Sequence, residues 1–158
     1  MTPDEIYERV KNHLRYNVKA YFNCQLGRPE LYGRIENSIV YYNYIGRESV
    51  EAIVKSKMKE VARSAADTME LARVDLSDEV VAAITRYCQQ SNVRALGARG
   101  IIKNTGKLFT TSLSNLFSPY IRGEEGKSRE DLKNAVVTCH CGETVSAPND
   151  ITWSISHE

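Results

Sequence analysis

The sequence predicts a fold of α/β class with mixed, α+β composition, and three observations carry that reading. Apolar residues recur at helical spacing over 50–61, 80–88 and 96–117. Two short runs, 38–45 and 135–141, are rich in β-branched and aromatic side chains, as strands are. The balance of 42% apolar and 26% charged residues supplies both a core and a solvated surface. A chain of 158 residues holds one domain, or a small domain plus part of another.

Charge and composition narrow the function. Basic and acidic residues number 21 and 20, so the net charge is +1 and no global field draws in nucleic acid or anionic lipid. Neither nucleic acid nor a membrane is expected as a partner, and any charge-based function is local. No apolar run approaches the roughly 20 residues of a membrane span. Met1-Thr2-Pro3-Asp4-Glu5 is acidic and lacks a signal peptide's basic and apolar regions. Cys24, Cys88, Cys139 and Cys141 form no dense framework, which fits free thiols in a reducing compartment. The expected location is cytoplasmic.

In chain order, Thr2-Pro3-Asp4-Glu5 opens a helix: Thr2 caps, Pro3 suits the first turn, and Glu5 completes a capping box. Ile6, Val10, His13, Leu14 and Val18 share one face, so His13 is expected in the core or at its boundary rather than as a catalytic base. Gly27-Arg28-Pro29 breaks the helix, and a short helical turn follows from Pro29. The run 38–45 is nearly all apolar, as in a strand buried on both faces of a parallel sheet. Its tyrosines read as strand packing, because no basic residues interleave to make a base-stacking platform. Gly46 ends it. Val50, Ile53, Val54, Met58 and Val61 mark an amphipathic helix. Residues 72–76 form a short strand. Ser77 caps the next helix, with Leu76 and Val81 as a hydrophobic staple and Val80, Val81, Ile84, Tyr87 and Cys88 as its buried face. The helix over 96–117 sets Ile101, Ile102, Phe109, Leu113, Leu116 and Phe117 on one side, with Pro119 beyond its end. Residues 123–129 are a charged loop, 135–141 a strand, and the remainder a tail or short edge strand.

Two motifs fail on spacing. Gly100-Ile-Ile-Lys-Asn-Thr-Gly106-Lys107 is not a phosphate-binding loop: five residues separate the glycines where four are required, and Leu108 stands where a magnesium-binding hydroxyl belongs. Cys139-His140-Cys141, with His157 beyond, is not expected to bind zinc, because Cys139 and Cys141 point one way along a strand, His140 the other, and no second ligand pair has the usual spacing.

A third stretch, Leu96-Gly97-Ala98-Arg99-Gly100, heads the long helical pattern. Its small pair lets the backbone approach a neighbour closely. Its arginine presents a planar fork of donors suited to phosphate oxygens. Upstream stands Arg28-Pro29-Glu30-Leu31-Tyr32-Gly33-Arg34-Ile35-Glu36. This is similar to the "RPE(F/L)-x-x-R-(I/L)-(D/E)" stretch of Clp-type AAA+ unfoldases. Leu96-Gly97-Ala98-Arg99 is similar to their "(Y/L)-G-A-R" sensor-two motif. The helix, strand, helix, helix, strand order between them resembles the family over residues 5–141. Gly33 and Gly100 depart from the family's usual asparagine and proline without removing an arginine.

The resemblance implies that 1–45 are the trailing part of a large AAA+ subdomain. Residues 46–142 would be the small C-terminal subdomain, a helical group on a short sheet, and 143–158 a tail. It implies that Arg99, with Gly97 and Ala98, contacts ATP phosphates in its own subunit, that Arg34 is an arginine finger in trans, and that Ile53 packs on the adenine. ATP and Mg would serve the intact protein, with neither held tightly by this chain. The family's Walker A loop, Walker B acids and pore loop would precede residue 1, so the chain alone is expected to be inactive. Partners would be the other subunits of a homo-hexameric ring and polypeptide substrates, with a peptidase partner left open. The rival expectation is a non-catalytic interaction or oligomerisation module that keeps the small-subdomain fold.

Overall fold

A computed structural model describes residues 2–40, 46–94 and 97–157. The chain divides into two units, Met1–Tyr44 and Ile45–Glu158.

In the first unit, helix α1 (Pro3–Ala20) starts as its residues dictate. Glu5 N–H donates to Thr2 Oγ1 at 3.3 Å, and Thr2 N–H donates to Glu5 Oε2 at 2.7 Å. The helix widens into a π-helical turn, Tyr21–Gln25, and the chain re-enters helix at Pro29 to form α2 (Pro29–Ile35). The rings of Phe22 and Tyr32 lie 6.1 Å apart and tie the two helices together. His13 is exposed, not a core or boundary residue. Leu14 beside it is 38% exposed, so the middle of the apolar stripe is left uncovered. Spacing identifies a face; it does not supply the partner that buries it. The strand expected over 38–45 does not begin at Ser38, which closes a 3-10 turn, Glu36–Ser38. Residues 41–45, with the tyrosine cluster, lie outside the described residues.

The second unit is α+β. Its elements are α3 (Arg47–Met69), β1 (Arg73–Asp75), α4 (Asp78–Cys88), α5 (Ser91–Arg94), α6 (Gly97–Thr105), α7 (Thr111–Arg122), β2 (Ala135–Cys141) and β3 (Ile151–His157). The sheet is mixed, in the order β1-β2-β3, with β1 parallel and β3 antiparallel to the central β2. Register sets Val74 and Ile155 beside Val137, and Trp153 beside Cys139, on the face that packs on helices. His140, Thr152 and Ser154 alternate to the other face and are exposed.

Helices α3, α4 and α6 enclose the first core cluster, where Val50, Val54, Met58, Ile84, Ile101 and Phe109 are fully buried. Each such side chain contributes about 1.5–3 kcal/mol of transfer free energy. A second cluster joins Met69, Leu113, Phe117, Leu132 and Val137 between α7 and the sheet. Ser77 caps α4 by accepting the Val80 N–H at 3.3 Å.

Three features differ from the sequence reading. The pattern over 96–117 is interrupted by a π-helical turn, Gly106–Thr110, between α6 and α7. Ile102 is 43% exposed, because it sits about 100° around the helix from buried Ile101. Pro119 lies inside α7, where it forgoes its own N–H bond, and the left-handed Gly123 (φ 69°) ends the helix with its N–H on Pro119 O. Of the two readings of the segment after Gly142, tail or short edge strand, the structure has the strand: Val145 and Ile151 are buried, and β3 forms the sheet's edge.

Candidate functional site

The head of α6 gathers three of the sequence-selected residues. Gly97 has φ of +65°, and among the described residues a Cβ there would meet nothing within 4 Å. Glycine is therefore suited by its left-handed conformation, not by the close backbone approach that the small pair suggested. Ala98 and Arg99 are exposed, and the next residues, Gly100 and Ile101, turn into the core. Asn104 Nδ2 donates to Gly100 O at 2.8 Å, and Cys88 Sγ meets Ile101 O at 3.9 Å, so this turn is anchored from beneath. The Arg99 side chain makes no hydrogen bond or ion pair among the described residues. No acidic residue stands in the first turn of α6. The exposed guanidinium of Arg99 thus stands in the first turn of α6, near the partly positive end of the helix.

The other candidates lie elsewhere. Arg34 belongs to the first unit, exposed in the last turn of α2. Ile53, on α3, is half-buried against the first core cluster, which accounts for it as a packing residue. Leu96 lies outside the described residues.

Cys139 has a structural explanation. Its Sγ accepts the Ser77 N–H at 3.4 Å and donates to Asp75 O at 3.5 Å, joining the end of β1 to the start of α4. Burial pushes the Cys139 and Cys88 thiols up from their ordinary value, and Cys141 likewise. His140 faces away, with Nε2 at 3.0 Å from Ser154 Oγ. His157 pairs beside Ala135, at the opposite end of β2 from Cys141. Among the described residues no three His, Cys, Asp or Glu side chains converge to hold a metal ion.

Two features were missed by the sequence reading. An apolar groove of about 330 Å³ runs between α3 and α7, lined by Val61, Ala65, Met69, Leu113, Phe117 and Ile121 among others. A buried polar relay ties α7 to β3: Trp153 Nε1 donates to Ser112 Oγ at 2.8 Å, which donates to Ile151 O at 3.3 Å. The signal for the second was present, in the strict alternation of Ile151, Trp153 and Ile155 with threonine and serine. No protein-family model, no curated protein and no solved structure matches the chain.

Proposed function

We propose that this chain is the C-terminal part of a Clp-type AAA+ ATPase and that Arg99 is its phosphate sensor. The observation that carries the reading is the head of α6: an exposed guanidinium, without a partner among the described residues, on a helix start with no acid in its first turn. That arrangement suits the anionic phosphates of a nucleotide. It fits one contact to ATP and nothing more. Among the described residues no three acids converge, and on this reading the phosphate cradle and the magnesium ligands would come from another segment. ATP with its magnesium supplies a phosphoryl group activated for transfer to water. Arg99 holds phosphate oxygens in cis and couples nucleotide state to the angle of the second unit. Arg34, exposed on α2, presents its charge to the nucleotide of a neighbouring subunit. A cation so placed stabilises transition-state charge and is worth on the order of a thousandfold or more in rate. The ring would be a homo-hexamer that acts on polypeptides.

The test on this chain is ATP titration followed by amide chemical shifts. One charge-assisted contact of about 1.5–3 kcal/mol gives a dissociation constant in the millimolar range or weaker. Shift changes should centre on Gly97–Gly100 and vanish in Arg99→Ala, without ATP turnover in either. Changes that ignore Arg99, or none at high millimolar ATP, would sink the reading.

A second reading, a non-catalytic interaction module, is favoured by the open apolar groove between α3 and α7. It predicts no nucleotide response at α6.

A further inference from the structure

Strand β3 ends the sheet, and among the described residues its main chain bonds to β2 alone on the strand side. Among the described residues no hydrogen bond reaches its outward groups except at Ile151 O, which accepts from Ser112. An exposed edge of this kind is a template for another strand, and proteins that avoid pairing blunt it with lysine, proline or a bulge. The strand Ile-Thr-Trp-Ser-Ile-Ser-His carries none of these, and its pairing with β2 runs unbroken through all seven residues.

The strand is also complementary to itself. An antiparallel pair centred on Ser154 sets Trp153 against Ile155 of the other copy, on the face that packs on α7. It sets Thr152 against Ser156, and Ser154 against itself, on the polar face. This axis uses all seven residues. Trp153 and Ile155 are only half-buried, and so are Leu116 and Tyr120 packed on the same cluster, so apolar surface remains for a second copy to cover. We infer that β3 is a self-pairing edge that joins two copies of this chain into a six-stranded sheet across a two-fold axis at Ser154. This goes beyond the proposed ATPase reading and does not depend on it.

The test is sedimentation of the full chain from about 1 to 100 µM, the range in which edge-paired association would titrate. The wild type should show a monomer–dimer equilibrium. Ser154 is exposed and its side chain bonds only the exposed His140, at 3.0 Å among the described residues, so Ser154→Lys and Ser154→Glu each set like charges opposite each other at the cost of that one surface bond; each should weaken the dimer about fivefold or more. Mixing the two should restore it. As a second variant, Ser154→Cys in a Cys24→Ser background should form an oxidised, covalent dimer that Cys24→Ser alone does not. A wild type that stays monomeric, charges at 154 without effect, or the absence of both rescue and cross-link would overturn the proposal.

Discussion

Among the described residues, the first unit buries one hydrophobic side chain, Tyr32, whereas the second buries two connected clusters that include Phe109, Met58, Ile84 and Leu132. Both are rich in helix. The first unit's helices are specified by local chemistry: a capping box at Thr2 and Glu5, and prolines at the starts of α1 and α2. The second unit's helices are specified by what they cover. Local signals fix where a helix begins, but about 1 kcal/mol per cap cannot substitute for burial as a source of stability.

The largest contrast should come from truncating one apolar residue in each unit. Phe109 is fully buried with its ring 5.5 Å from that of Trp153, so Phe109→Ala should cost about 3–5 kcal/mol. Leu14→Ala, at a position 38% exposed, should cost about 0.5 kcal/mol or less. Urea unfolding followed by far-ultraviolet circular dichroism reads the helices of both units, and the fluorescence of Trp153, the chain's one tryptophan, marks the second. Equal midpoint shifts for the two variants would erase the contrast.

Thiol reactivity sharpens the same comparison. Cys24 is exposed in the first unit; Cys88 and Cys139 are buried and Cys141 half-buried in the second, all three with raised pKa. With a disulfide reagent near neutral pH, Cys24 should react first. Cys88 and Cys139 should lag by roughly a hundredfold or more, the factor that about 3 kcal/mol of protective opening supplies. Cys24→Ser should remove the fast phase. A fast phase that survives would mean that the second unit opens more readily than its core implies.

The smallest effect concerns the turn before β3. Asp150 accepts from the Ser146 and Ala147 N–H groups, each at 2.8 Å, and from Ser146 Oγ, which hold its carboxyl below the ordinary 3.8. A carboxylate lowered on folding contributes stability above its unfolded pKa and loses it as pH falls through the folded one. Asp150→Asn should therefore lower the urea midpoint slightly at about pH 6, and the gap to wild type should close towards about pH 3. A gap that widens in acid would reverse the sign.

How much of this was legible follows from where each signal resides. Thr2, Glu5, Ser77 and the run Ala135–Cys141 act on their own neighbours, and the elements they announce are present. His13 shows the limit, since a residue's place on a helical face says nothing about what lies across from it. Strand β3 was weakly legible because its seven residues mix apolar and hydroxyl side chains, and only pairing with β2 decides their state. At the candidate site, spacing picked out Arg99 but not its freedom, which depends on the absence of a described partner. Spacing set Ile53 on the apolar face of its helix and the resemblance made it an adenine contact; in the structure it is half-buried against the first core cluster.

The mixed sheet has a consequence for the order of assembly. Strands β2 and β3 are joined by residues 142–150, whereas β1 reaches β2 only across 76–134, a span that contains α4 to α7. Closing the longer loop costs about 1.7 kcal/mol more chain entropy than closing the shorter one. The antiparallel hairpin therefore has the entropic head start, and the parallel pairing waits for the helices that make its crossover compact. On this ordering the three residues of β1 pair last, in a register offered by a hairpin already formed.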